Sequence, residues 1–165
     1  LAYARTHAND GAQVKRMLDG RLRRGGKKME EDYLIIDCSC FHSFQSFIDY
    51  MNSIAFTKSK WNGNLDAFND YLVGGFGNEI ESRSIKIINS QEGKNALGKE
   101  ETEIWLKEKK KTCHPSNIQF FETEINNLYY DRAQLLWDKI VEIIKDHSQN
   151  FSKDKLAEIP KLVIQ

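Results

Sequence analysis

The sequence contains little proline and cysteine and no long apolar run, and these shortages exclude several classes of protein. Its 165 residues include two prolines and three cysteines. No stretch approaches the roughly 18 to 20 apolar residues of a membrane-spanning helix, and no apolar run follows the first charges as in a secretory signal peptide. We therefore expect a chain that makes no contact with a membrane.

The three cysteines do not form a disulfide framework, since their number is odd and Cys38 and Cys40 are almost adjacent. This use of cysteine is typical of a reducing compartment, so we expect a cytoplasmic protein. Together with His42, Cys113 and His114, these thiols form a candidate zinc set, but C-x-C-x-H departs from the usual C-x₂-C spacing. The sequence therefore predicts plain thiols, with no metal and no cofactor.

A net charge of zero hides two regions of opposite charge. Residues 1–28 carry eight basic and two acidic side chains and contain no Ile or Phe, which leaves an acidic excess of six in 29–165. From Met29 onward Ile, Asn, Lys, Phe and Tyr become frequent. The break predicts a basic appended segment, 1–28, and a folded domain, 29–165. In an alternative interpretation, the basic run at 21–28 binds nucleic acid or a partner.

Strand-like and helix-like patterns alternate along 29–165. Tyr33–Asp37 is dense enough in apolar residues for a strand buried on both faces, and similar runs occur at 85–88 and 161–165. Apolar residues recur with helical spacing at 44–55, 65–73 and 127–147, with Ser43 and Asn64 as N-caps of the first two helices and Gly74-Gly75 as the stop of the second. The stretch 100–111 fits either a helix or an exposed loop. Alternating strands and helices predict an α/β fold with a mostly parallel sheet.

The segment 61–70, which reads WNGNLDAFND, carries the functional argument. At about 100° per residue, Leu65 and Phe68 fall on the core side of a helix, while Asp66 and Asp70 stack on an outward face. Two like charges four residues apart disfavour the free helix by about 0.2 to 0.5 kcal/mol, so a cation from a partner would stabilise both. The alternative is an ordinary solvated helix with two surface aspartates.

This segment resembles the signature of the barstar family, the intracellular inhibitors of ribonucleases. The likeness lies in the aromatic-Gly loop, the Asn-Leu-Asp-Ala run and the second aspartate one turn later, and it extends in order over 32–89. It implies a three-stranded parallel sheet flanked by helices, here with an insertion at 90–130 before the last helix. The partner-binding residues that it implies are Trp61, Asn62, Gly63, Asn64, Asp66, Asn69 and Asp70.

The resemblance further implies a non-enzymatic immunity protein that blocks the active site of a bacterial ribonuclease toxin in a 1:1 complex. A ribonuclease site is cationic because it binds phosphate, so a rigid pair of carboxylates can pair with its arginines. The chain departs from the family at Lys60, where a second aromatic residue is common. The family's further acidic contact near the last helix has three candidates here: Glu122, Glu124 and Asp131. These departures indicate a toxin unlike the family's best-known partner.

Two other classes of function compete with this interpretation. A nucleic-acid-binding protein would use the basic segment with the lysines of 107–111, and an α/β enzyme would use the two aspartates as a metal or acid–base site. The acidic excess of 29–165 argues against the first. The lack of a companion His or Glu beside Asp66 and Asp70 argues against the second.

Deleting 1–28 is expected to leave folding and inhibition intact, because this segment differs from 29–165 in charge and in residue types. The melting temperature of 29–165, compared with that of the whole chain, measures the effect on the fold. A shortened chain that fails to fold, or that fails to protect cells from the toxin, would show that the boundary is wrong.

Overall fold

The structure, a computed structural model, describes residues 33–78, 84–150 and 162–165. The basic segment 1–28 lies outside these residues, and its separate origin stays a prediction. Within the described ranges the strands are β1 (Tyr33–Asp37), β2 (Ser84–Ile88) and β3 (Leu162–Ile164). The helices are α1 (Phe44–Ile54), α2 (Leu65–Leu72), α3 (Ser90–Ala96), α4 (Lys99–Thr112), α5 (Ile118–Tyr129) and α6 (Leu136–Asn150).

The three strands form one parallel sheet in the order β1-β2-β3, in which Leu34 pairs with Ile85 and Ile85 with Leu162. The predicted α/β class with a three-stranded parallel sheet is confirmed. Among the described strands β1 lies at an edge of the sheet, and Ile35 on its second face is 37% exposed. The strand is therefore buried on one face only, and not on both as its apolar run predicts.

The core lies between the sheet and helices α1, α2 and α6. Its buried side chains include Ile36 and Ile87 from the sheet and Phe47, Phe68 and Ile140 from the three helices. Each helix contributes an apolar stripe with helical spacing, which is why these segments pack where they do. No helix within the described ranges has both the length and the apolar character that a bilayer crossing requires.

Both predicted N-caps are confirmed. Ser43 forms a capping box at the start of α1, and the Asn64 side chain accepts a hydrogen bond from the Asp66 N–H at 3.2 Å. Helix α2 ends at Leu72, one residue before its predicted end, and Gly74 follows with a φ of 81°. Left-handed backbone favours glycine, so the double glycine ends the helix as predicted.

The segment 90–130, which the resemblance makes an insertion, contains α3, α4 and α5, and the stretch that fitted either a helix or a loop lies within α4. Acidic residues in the first turn of α4 and lysines in its last turn complement the helix dipole. Lys107 pairs with Glu103 one turn earlier, at 2.6 Å, which supports the helix further. Helices α4 and α5 pack against each other, and we call this pair, residues 99–129, the inserted hairpin.

The single long helix predicted for 127–147 is wrong. Helix α5 ends at Tyr129, Asp131 takes a left-handed φ of 55°, and α6 begins only at Leu136. Tyr129 is exposed and does not belong to the buried stripe. The predicted apolar face is found from Leu136 onward, where it continues through Ile140.

Residues outside the segment stabilise this break. The first N–H groups of a helix lack partners within it and need acceptors elsewhere. Here the Leu136 N–H donates to Thr102 Oγ1 at 2.8 Å, and the Trp137 N–H donates to the Leu97 carbonyl at 3.0 Å. Both acceptors belong to the region around α4, so α6 begins where the inserted hairpin meets the core.

Replacing Gly93 by alanine is expected to destabilise the fold by about 1 to 3 kcal/mol, because α3 approaches α6 at this residue. A Cβ atom there would collide with the Trp137 ring and would lie 2.9 Å from Cys38 Sγ. This overpacking outweighs the gain of about 1 kcal/mol that alanine brings to a helix. Urea denaturation measures the difference in unfolding free energy.

Lys94→Ala, at the exposed neighbouring position of α3, is the control. It is expected to change stability by no more than about 0.5 kcal/mol. If Gly93→Ala proved as stable as the unchanged chain, α3 would be free to move away from α6, and the packing argument would be wrong.

Candidate functional site

The Trp61 indole fixes the loop that precedes α2. It is 1% exposed, and its ring centroid lies 4.6 Å from that of Phe68 and 6.0 Å from that of Phe47. Its Nε1–H donates to the Asn64 carbonyl oxygen at 2.8 Å. The Asn52 side chain accepts from the Trp61 N–H at 2.7 Å and donates to the Trp61 carbonyl at 2.9 Å. The start of α2 is therefore tied to the core.

This placement corrects the role predicted for the Trp61 side chain as a partner contact. An indole that is packed in the core offers no surface to a partner. Trp61 acts instead by positioning the exposed residues around it. The family resemblance specifies an aromatic residue at this position but does not specify the direction of its side chain.

Asn62 and Gly63 form the turn between Trp61 and α2. Asn62 is exposed, and its side-chain oxygen accepts a hydrogen bond from the Asn64 N–H at 3.1 Å. Gly63 is buried with a φ of 86°, and a Cβ atom there would lie 2.5 Å from Ile48 Cδ1. Glycine alone suits this backbone and this close approach. Gly63 therefore shapes the turn, while Asn62 presents its side chain to solvent.

The outward face of α2 carries Asp66 and Asp70, and both are exposed as predicted. Neither carboxylate forms a hydrogen bond or an ion pair with any residue in the part of the chain that the structure describes. Asn69 lies between them along the chain and is half-buried. The opposite face of the helix is locked by Phe68 and Leu72, which are almost wholly buried. The two charges are thus held in place without an internal cation.

A groove of approximately 570 Å³ runs between α2, α6 and the inserted hairpin. Three predicted site residues of α2 and its cap line one wall: Asn64, Asp66 and Asn69. The hairpin contributes Trp105, Phe120 and Phe121 to the opposite wall. We call this feature the α2–α5 groove. It gives the acidic helix an aromatic wall that the sequence did not indicate.

A second groove, of approximately 370 Å³, contains the other predicted loop residues. Asn62 and Gly63 border it together with side chains of α1 and α4. Trp105 and Lys109 border both grooves, so α4 separates the loop residues from the outward face of α2. Asp70 borders neither groove. The structure therefore distributes the predicted site over two grooves and, at Asp70, the surface outside them.

The α2–α5 groove is acidic on balance. Its ionisable side chains are four carboxylates and two lysines: Asp66, Glu124, Glu142, Asp146, Lys109 and Lys139. None of the six forms an ion pair with another described residue. Glu142 accepts a hydrogen bond from Gln134 Nε2 at 2.6 Å, which orients its carboxylate. The groove therefore presents unneutralised negative charge beside apolar surface.

The three candidates for a further acidic contact differ in whether they line the groove or pair with a lysine. Glu124 lines the groove. Glu122 pairs with Lys110 and Asp131 with Lys99, each at 2.7 Å, so hairpin lysines neutralise both carboxylates. Glu142 and Asp146 of α6 also reach the groove and were missed. Their spacing of four residues, the same as in α2, was the signal that could have revealed them.

The cysteine–histidine set does not form a metal centre among the described residues, where no three His, Cys, Asp or Glu side chains are arranged to hold an ion. Cys38 is fully buried, and burial raises the pKa of its thiol to about 12. A thiol with such a pKa stays protonated near neutral pH and is a poor ligand and nucleophile. Cys38 is best described as a packing residue of the core.

Compared with protein-family models, with curated proteins and with solved structures, the chain matches none. The resemblance to the barstar family therefore depends only on the residues of 61–70 and on the order of strands and helices around them.

Trp61→Ala is expected to cost about 3 to 5 kcal/mol of unfolding free energy, because it leaves a large cavity among Phe47, Phe56 and Phe68. Urea denaturation followed by far-UV circular dichroism measures this cost. If the variant kept its stability and lost only partner binding, Trp61 would be a surface contact after all and not a core residue.

Proposed function

We propose that the chain is a proteinaceous inhibitor of a basic ribonuclease toxin and belongs with the barstar family. The observation that carries the proposal is the state of Asp66 and Asp70. Two exposed carboxylates stand one turn apart on a rigid helix, and no described residue of the chain neutralises either one. Such a pair is suited to a cation supplied from outside.

Electrostatics favours a cationic active site as the partner surface. A ribonuclease holds its phosphate with arginine and lysine side chains, and carboxylates at fixed positions bind the same groups through charge-assisted hydrogen bonds. The pair repels itself in the free helix, and binding removes this repulsion. Because the Trp61 cluster already holds α2 in place, little ordering is lost when the partner docks.

The remaining features of the chain agree with this proposal. The parallel sheet and the helices that lie between its strands along the chain follow the order that the resemblance implies. The candidate contacts are side chains without a nucleophile, a metal set or a reactive thiol among them, which supports a binding role. We propose a 1:1 complex in the cytoplasm, with Asn64 and Asn69 as polar contacts beside the two aspartates and Asn62 as a separate contact in the second groove.

Asp66→Ala and Asp70→Ala are each expected to weaken inhibition by about 2 to 5 kcal/mol, because each leaves a cation of the partner buried without its pair; this range is drawn in part from the barstar family itself. Melting temperatures should hardly change, since exposed substitutions shift stability by no more than about 0.5 kcal/mol. The measurement is cleavage of a fluorogenic RNA by a panel of basic secreted bacterial ribonucleases, titrated with each variant.

Asp49→Ala is the matched control, because Asp49 is an exposed helical aspartate on α1 outside both grooves. It should inhibit as strongly as the unchanged chain. Failure to inhibit any ribonuclease of the panel would overturn the proposal. Tight binding of RNA by the chain alone, measured by gel shift, would favour the nucleic-acid-binding alternative instead.

A further inference from the structure

We propose that the inserted hairpin completes the binding site, so that the α2–α5 groove receives a protruding segment of the nuclease that carries a basic side chain beside an apolar one. The inference rests on the proposed function and adds the class of segment that the site selects. Such a segment would place its cation against α2 and α6 and its apolar side chain against the hairpin. The groove, and not α2 alone, would then determine which nuclease is inhibited.

The apolar part of the argument begins with Phe120. Its side chain is 60% exposed although it lines a groove, and it lies against Phe121 with ring centroids 5.3 Å apart. Trp105 and Ile143 extend this apolar surface inside the groove. An aromatic side chain gains hydrophobic free energy when a partner covers it, and aromatic residues are common at the centres of interfaces. The hairpin wall therefore favours an apolar side chain as occupant.

Charge complementarity indicates which kind of partner side chain lies beside the apolar one. Asp66 faces the groove from α2, Glu142 and Asp146 from α6, and Glu124 from α5. The hairpin's Lys110 pairs with Glu122, a carboxylate that does not line the groove, while Lys99 pairs with Asp131. Four carboxylates thus face two lysines, and an arginine or lysine from a partner would correct the imbalance.

The size of the groove limits the occupant further. Approximately 570 Å³ lies in the range of pockets that hold a small ligand, about 300 to 1,000 Å³. This space suits a few side chains at the tip of a loop. A short cationic and apolar loop tip of the partner is the occupant that volume, charge and lining together favour.

Trp105 provides a built-in reporter of occupancy. Trp61 and Trp137 are buried at 1% and 6% exposure, while Trp105 is half-buried and borders the groove. The three tryptophans are all that the chain contains. Shielding of fluorescence from acrylamide quenching therefore reports mainly on Trp105. The probe is a blocked ten-residue peptide of alternating arginine and leucine, compared with peptides in which glycine replaces leucine or glutamate replaces arginine.

The arginine–leucine peptide is expected to shield Trp105 in a saturable way and to bind at least tenfold more tightly than either comparison peptide. Phe120→Ala and Glu142→Gln should each weaken that binding at least fivefold. Tyr130→Ala is the matched control, since Tyr130 is an exposed aromatic residue just after α5 that does not line the groove. It should leave binding unchanged. Melting temperatures of all variants should stay close to that of the unchanged chain.

If the glycine peptide bound equally well, the groove would recognise charge alone. If the glutamate peptide bound equally well, the groove would recognise apolar side chains alone. Either result overturns the proposal. Self-association of the chain that Phe120→Ala abolishes, measured by analytical ultracentrifugation, would show that a second copy occupies the groove and would also overturn it. The ribonuclease panel separates this failure from failure of the proposed function. Suppose that Phe120→Ala inhibits as well as the unchanged chain while Asp66→Ala does not. The proposal for the groove would then be wrong, and the proposed function as an inhibitor would remain.

Discussion

Helix α2 can present charge to a partner because the ring of Trp61 ties it to the core. Phe47 from α1, Phe56 from the following loop and Phe68 from α2 surround this indole, with centroids between 4.6 and 6.1 Å away. Edge-on and tilted ring pairs of this kind add to the free energy of burial and fix relative orientation. Trp61 and the first turn of α2 are therefore tied to the core, and the outward residues of α2 are positioned by the same contacts.

The carboxylate of Asp37 stabilises the fold, whereas those of Asp66 and Asp70 do not. Asp37, at the end of β1, accepts hydrogen bonds from Ser39 and from Asn89 after β2, and so it joins neighbouring strands. Burial acts to raise the pKa of Asp37, but these hydrogen bonds outweigh it and hold the pKa below its usual value. Among the residues that the structure describes, Asp66 and Asp70 have no such donors. The fold is held by apolar contacts on the other face of α2, so these two carboxylates are free to bind something else.

Local signals in the sequence were sufficient for the strands, for α1 and α2 and for their caps, because each depends on residues within a few positions of one another. Ser43, Asn64 and Gly74 are examples in which side-chain chemistry or glycine alone decides where a helix begins or ends. The break before α6 could not be predicted in this way. Its N–H groups find Thr102 and Leu97, more than 30 residues earlier in the chain, so the periodicity of 127–147 was misleading.

The same limit applies to the site. The motif at 61–70 indicates Asp66 and Asp70 correctly as outward residues, since helical spacing is a local property. It did not indicate that Trp61 is buried, nor that Glu142 and Phe120 lie across a groove from α2, because both facts depend on how distant helices pack. The wall of the groove opposite α2 is formed by tertiary contacts of the inserted hairpin, and local sequence patterns do not predict such contacts.

A bare acidic helix attracts almost any basic protein, and this attraction alone does not choose among nucleases that share a cationic site. Over distances beyond the Debye length, about 8 Å at physiological salt, the attraction is also screened. Selectivity needs shape and apolar contact as well as charge, because a wrong partner must bind with a less favourable free energy than the right one. In the proposed complex α2 supplies the charge common to such inhibitors. We propose that the wall formed by Trp105, Phe120 and Phe121 supplies the shape, and that the segment 90–130 thereby selects the nuclease.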